Sequence, residues 1–302
     1  MKCACDNLEL WKYQLAELAK RSTSIKRRKA FTLVELLVVI AVIALLMSIL
    51  MPALQRVRKM AKATICRSNV RQWGLIFKLY GEDHDAKLPQ SVAGGSLNAQ
   101  EAYWIVGTLP YYKAKDIRIC PSTKVVREPQ DWSHGSTFAC WGPFKSGGTS
   151  DWYADFDTGS YGINDWCATP PSDRSTYWTF PTENAWQTQL VKGADRIPLF
   201  GDCVFVDGFP LDDNAPLLNE PPLYDGWRMG IHGTWNNFGM RMFCLPRHEG
   251  AVNLVFLDGS VRAVPLRALW KLKWHKNFDI NGYWTTSRAA WPKWMLKFGD
   301  EY

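Results

Sequence analysis

The chain has 302 residues, 47% of them hydrophobic and 22% charged, which is enough apolar material to bury a sizeable core and excludes a chain that stays disordered for want of one. Its formal net charge of +7 is concentrated at the start: residues 1–30 hold eight of the 36 Lys/Arg and three of the 29 Asp/Glu, leaving 28 against 26 in the remainder. A nucleic-acid face would need clustered cations in the folded part, and the single such cluster is Arg56, Arg58, Lys59, Lys62, Arg67 and Arg71, so no nucleic-acid partner is expected.

The first thirty residues are basic; within them Leu8–Ala19 could be an amphipathic helix, and Cys3 and Cys5 read as a pair of solvated thiols. From Phe31 to Met51 follow 21 residues interrupted by one charge, Glu35, long enough at about 1.5 Å per residue to cross a hydrocarbon layer of about 30 Å. A cleaved secretory signal would have a shorter apolar stretch beside a small-residue site, and the nearest one here, Ala61-Lys62-Ala63, lies in a basic region well beyond it. Lys20, Arg21, Lys26, Arg27, Arg28 and Lys29 before the span balance six cations after it, so charge does not orient it. Six cysteines beyond the span (Cys66, Cys120, Cys140, Cys167, Cys203 and Cys244) favour an oxidising compartment for that part. Glu35 is the anomaly, because a carboxylate near the end of a lipid-facing helix costs free energy unless headgroups or a partner offset it.

Lys29-Ala30-Phe31-Thr32-Leu33-Val34-Glu35-Leu36 resembles the prepilin peptidase recognition motif of type IV pilins and type II secretion pseudopilins, with Ala30 where the family usually carries Gly. The resemblance implies a cut between Ala30 and Phe31, methylation of Phe31, Glu35 at the fifth mature position and a helix-bending Pro52 at the twenty-second. It implies that Glu35 meets the cationic N-terminus of a neighbouring subunit and so registers one subunit against the next. The implied partners are prepilin peptidase, sister pilin or pseudopilin subunits, the inner-membrane assembly platform and the lipid bilayer. The implied location is a single pass through the inner membrane, with the leader in the cytoplasm and the head outside.

After Pro52, Leu54, Val57, Ala61, Ile65, Trp73, Phe77 and Tyr80 keep helical spacing, so the span is expected to continue as an amphipathic stem ending near Tyr80-Gly81. From Leu88 onward, short apolar runs among Pro, Gly and Trp read as strands and long loops. A hairpin is expected from Ala251–Leu257 and Ser260–Val264, joined at Asp258-Gly259, a dipeptide suited to positive φ, with Pro265 closing it. Another strand is expected at Ile197–Phe205, a turn at Gly159-Ser160-Tyr161-Gly162 and a short helix at Leu266–Trp274. The fold class is α+β, with the long N-terminal transmembrane and stem helix packed on a β-rich C-terminal head, the pilin-like architecture that the resemblance implies. Its divisions are a leader at 1–30, a span at 31–51, a stem at 52–81 and a head at 82–302.

His248, nine residues on from which comes Asp258-Gly259, resembles the H-X9-DG element near the C-terminus of many prepilin-type proteins; Cys120-Pro121-Ser122, Ser160-Tyr161-Gly162-Ile163-Asn164 and Phe200-Gly201-Asp202 resemble other pieces of that group. A Cys66–Cys120 disulfide is implied on the same ground, since stem and head cysteines pair in such proteins. His248, Asp258 and Asp202 offer imidazole and carboxylates to a metal or to acid–base work, weighed against a strand end for His248 and a turn for Asp258. No motif requires a cofactor. Calcium could be held by Asp151, Asp155 and Asp157 or by Asp207, Asp212 and Asp213, but neither group has the EF-hand spacing and both read as solvated loop acids. No nucleophile elbow, zinc-protease helix, Walker loop or dinucleotide turn occurs, so an enzyme is not expected. The expected function is a pilin-like structural subunit assembled into a type II secretion or type IV pilus-like filament. The alternative is a membrane-tethered adhesive or carbohydrate-binding protein using Trp132, Trp141, Trp152 or Trp166 to stack on sugars, against the reading that these tryptophans are buried.

Overall fold

The computed structural model describes residues 32–90, 104–125, 135–142, 158–170, 175–177, 180–212, 220–223, 239–286 and 289–299. The chain divides into two compact units, Met1–Gln55 and Arg56–Tyr302. A 51-residue helix, α1 (Leu33–Asp83), begins in the first unit and runs unbroken through Pro52.

In the first unit the described part of α1 is apolar on every side and exposed throughout, from Leu33 to Leu54. A helix without a polar face in water lacks a solvent to match it, and this one is long and apolar enough to cross a membrane. Leu54, Val57, Ala61 and Ile65, expected on the packed face, are exposed, and the helix becomes one-sided only from Cys66, where the rest of the second unit first covers it. Cys66, Val70, Trp73, Gly74, Phe77, Tyr80 and Gly81 are buried at spacings of three and four, the stripe that faces a core. The helix continues past the expected stop at Gly81 to Asp83. Gly81 does not terminate it; the residue is buried, and a Cβ there would collide with the Gln189 side chain, whose amide donates to the Phe77 carbonyl at 2.6 Å. The turn falls instead at Asp85 and Ala86, both at positive φ, with the Ala86 N–H returning to the Gly81 carbonyl at 2.7 Å.

The second unit is built on a mixed sheet. Its strands are β1 (Tyr161–Asn164), β4 (Pro198–Asp202), β5 (Asp207–Gly208), β6 (Ala251–Phe256) and β7 (Val261–Pro265), in the order β5-β1-β4-β6-β7; β2 (Thr176–Tyr177) and β3 (Phe180–Pro181) form a separate pair. Only β1–β5 is parallel within the five-stranded sheet. The expected turn at 159–162 is therefore in large part a strand. Gly162 and Gly201 face each other across β1 and β4 because the neighbouring chain lies too close for a side chain, not because the backbone turns. The expected strand at 197–205 ends at Asp202, and the expected helix at 266–274 is a 3-10 segment, Leu266–Lys271. The β6–β7 hairpin pairs Ala251 with Pro265 and Val255 with Val261. Of the turn dipeptide only Gly259 has positive φ, +83°, while Asp258 accepts from the Ser260 N–H at 2.9 Å. The turn is thus a type I turn with a glycine bulge rather than a two-residue loop.

The buried face of α1 joins this sheet through aromatic packing. Trp73 and Phe77 lie 5.1 and 5.3 Å from Phe200 of β4, and Trp73 meets Trp104 edge-on at 5.3 Å. Indole N–H groups hold backbone carbonyls elsewhere in the chain: Trp73 on Ile117, Trp104 on Val206, Trp141 on Tyr161, Trp166 on Pro210 and Trp274 on Leu269, at 2.8–3.0 Å. Each buries a large apolar surface and gives its own polar N–H a partner.

At Gly201 an added Cβ would run into the Asn253 carbonyl and Leu254 of β6, whereas Gly299 has open space around it. Gly201→Ala is expected to lower stability by about 1–3 kcal/mol or more, read as a drop in the denaturation midpoint, with Gly299→Ala close to neutral.

Candidate functional site

Ala30 and Phe31 lie outside the described residues, so the first functional group that the structure places is Thr32. Its hydroxyl accepts from the Glu35 N–H at 3.2 Å, and the Glu35 carboxylate accepts from the Thr32 N–H and hydroxyl, each at 2.8 Å. This reciprocal capping box starts α1. Its signal, Thr-x-x-Glu ahead of an apolar run, stood in the sequence beside the processing motif. Glu35 therefore begins the helix as well as carrying a charge into the apolar segment. Pro52 lies inside α1 with its missing N–H directed at the turn of Ser48, whose hydroxyl bonds to the Leu45 carbonyl at 2.7 Å.

In the second unit a polar centre is shut inside the core. Asp202, at the end of β4, is fully buried; Oδ1 accepts from Arg247 Nη1 at 2.8 Å and Oδ2 from the Asn253 N–H at 2.8 Å and faces His248 Nε2 at 3.2 Å. Cys66, from the buried stripe of α1, lies 3.6 and 3.8 Å from the two carboxylate oxygens and accepts from the Tyr161 hydroxyl at 3.3 Å. Cys120 lies 3.5 Å from the same His248 nitrogen, and the Ser122 N–H points at its sulfur at 3.5 Å. The ligand atoms of Cys66, Cys120, Asp202 and His248 all fall within 4.8 Å of one another.

Arg247 balances the charge. Its guanidinium is buried and spends its other donors on the carbonyls of Thr137, Ser160, Ser136 and Cys203. Burial opposes the ionised carboxylate of Asp202, but His248 and Arg247 outweigh it and hold the group at about 2. Burial likewise opposes the charged His248, and the Asp202 charge and hydrogen bond override it, raising the imidazole to about 9. The hydrogen bond from Cys66 draws Cys120 down to about 5, with burial opposing and His248 and Arg247 assisting. Cys66 itself is pushed up by burial and by the same hydrogen bond.

Of the residues singled out in the sequence, the structure brings His248, Asp202, Cys66 and Cys120 together and leaves Asp258 apart. The nine residues between His248 and Asp258 contain β6, so the two stand at opposite ends of a strand. Cys66 and Cys120 adjoin as thiols, and the six cysteines beyond the span are all buried and unbridged. Asp151, Asp155, Asp157 and Asp213 lie outside the described residues, as do Trp132 and Trp152. Asp207 and Asp212 are buried rather than solvated, which burial by the surrounding chain explains, and they join no cluster of three ligands among the described residues. Trp141 and Trp166 are fully buried and hold carbonyls, so neither presents a face to a sugar. Arg247 was missed: a lone arginine before a strand carries no local mark of burial.

Residues 25–51 match the family model of the prokaryotic N-terminal methylation motif. No curated protein and no solved structure matches the chain. The motif and the exposed apolar helix that begins within it support a type IV pilin-like precursor and are compatible with a single-pass membrane protein.

Two outcomes follow from the centre's geometry. Asp202→Asn leaves the Arg247 charge buried and uncompensated, and is expected to cost about 3–5 kcal/mol in denaturant unfolding. In the metal-free chain the depressed Cys120 group contributes stability at high pH that is lost as pH falls through about 5. Ultraviolet thiolate absorbance should disappear over that range, and Cys66→Ala should move the loss to higher pH.

Proposed function

We propose that this chain is the precursor of a pilin-like structural subunit, cut by prepilin peptidase between Ala30 and Phe31, methylated on Phe31 and assembled into a type II secretion or type IV pilus-like filament. The observation that carries the reading is the methylation motif over residues 25–51, continuous with a helix that is apolar and exposed at its start and one-sided in its second half. The first part supplies a membrane segment and, after assembly, a packing surface for sister subunits; the second fastens the head. The head works by what it presents rather than by turning over a substrate. It stands outside the inner membrane, and the leader stays in the cytoplasm until it is removed. Calcium has no role in this reading.

Glu35 has two separable tasks. The capping box uses its oxygens as acceptors, while registering a neighbouring subunit's N-terminal ammonium uses its charge, which counts for most where water is excluded. Glutamine can close a capping box but carries no charge. Glu35→Gln is therefore expected to leave the chain folded and inserted yet sharply reduce filament yield, as judged by sheared-filament recovery. Wild-type yield from that variant would remove the charge from assembly.

Processing is tested by intact mass and N-terminal sequencing with and without prepilin peptidase, beside an Ala30→Gly control. A peptidase-dependent start at methylated Phe31 is the expected result. An intact leader on the wild-type chain, with the Ala30→Gly control cut, would sink the filament reading and favour a tethered binding protein.

A further inference from the structure

The buried centre has an arrangement that neither assembly nor processing uses. We propose that Cys66, Cys120, Asp202 and His248 form a structural binding site for a thiophilic divalent cation of the zinc class. The inference stands whether or not the chain enters a filament.

Geometry carries it. A tetrahedral zinc ion holds sulfur at about 2.3 Å and nitrogen or oxygen at about 2.0–2.2 Å, which sets the donor atoms about 3.3–3.8 Å apart. Here His248 Nε2 and Asp202 Oδ2 are 3.2 Å apart, Cys120 Sγ and His248 Nε2 3.5 Å, and Cys66 Sγ and the same Asp202 Oδ2 3.8 Å. All four donors lie within 4.8 Å. Closing on an ion requires shifts on the order of 1 Å or less.

Two other uses of the same atoms fit less well. A cysteine–histidine–aspartate relay needs the thiol on one ring nitrogen and the carboxylate on the other. Both meet Nε2 here. A hard cation such as calcium takes oxygen donors, and half of this set is sulfur.

The surroundings complete the site. With both thiols ionised and the imidazole neutral, two thiolates and one carboxylate carry three negative charges. A divalent ion and Arg247 supply three positive ones, so the buried centre is neutral when loaded. The protons that leave the ligands pass to solvent. Arg247 and the Asn253 N–H hold Asp202, and the Ser122 N–H points at Cys120, giving the ligands outer partners that fix their orientation. Beside the centre a cleft of about 430 Å³, lined by Lys59, Lys62, Arg67, His248 and Lys297, brings solvent to the edge of the imidazole. Four protein ligands with no open position make a structural site. Its ligands come from α1, the segment before Pro121, β4 and the approach to β6, so one ion would clamp the second half of α1 to the head.

The test uses the full-length chain in detergent, isolated without reductant. Elemental analysis and intact mass come first, followed by stripping and titration with cobalt(II) as the spectroscopic probe. The expected result is one zinc-class ion per chain, free thiols on the stripped protein, and the visible bands of tetrahedral cobalt with thiolate-to-cobalt charge transfer. Cys120→Ser and His248→Gln should each weaken cobalt binding by about 100-fold or more, while Cys244→Ser keeps the spectrum. A Cys66–Cys120 disulfide in the isolated chain overturns the proposal. So do free thiols that give no thiolate–cobalt band in wild-type protein, a result that needs no variant to fold.

Discussion

A carboxylate shut away from water at the end of β4 is the constraint around which the head is arranged. Removing an ionised group from solvent costs several kcal/mol unless every lone pair finds a donor and the charge a counter-charge. Asp202 meets both conditions only because two distant parts of the chain come to it: the stretch 247–253, which brings Arg247 for the charge, His248 beside it and the Asn253 backbone of β6, and α1, which brings Cys66. The stem and the head are thus held by one polar knot as well as by apolar packing. A shift of α1 along its axis would unpair groups that have no water to turn to.

Apolar packing does the rest. Five short strands cannot order a head of this size by ladder hydrogen bonds alone, and many of its loops run through the interior. Tryptophan links these segments, because a buried indole contributes area and at the same time donates to a backbone carbonyl elsewhere in the chain. The aromatic excess in the composition is therefore structural in the described residues. It explains why Trp141 and Trp166, attractive as sugar platforms in the sequence, turn inward.

The two ends of α1 differ in composition and in burial. Its start is uniformly apolar, capped by Thr32 and Glu35, while its second half carries a buried stripe bounded by cations. Residues 25–51 carry the methylation motif, and the residues after Arg56 carry the head.

Local order decided what could be read directly. The apolar run, its single Glu35, the packed positions Trp73, Phe77 and Tyr80 late in α1 and the Asp258-Gly259 hairpin are set by residues a few positions apart, and spacing reports them, whereas Leu54, Val57, Ala61 and Ile65 share that spacing and stay exposed because nothing packs on them. The buried centre is set otherwise. His248 and Asp202 were legible as ligand types, and Cys66 and Cys120 as a pair, but nothing in their spacing joined the two pairs or separated Asp258 from them. That depended on β4, β6 and α1 packing side by side, which brings together residues more than a hundred positions apart. Gly81, Gly162 and Gly201 make the same point. Sequence context suggested a cap at Gly81, a turn at Gly162 and an ordinary strand position at Gly201, and only the tertiary fold, by placing a neighbour where a Cβ would stand, made them points of close approach.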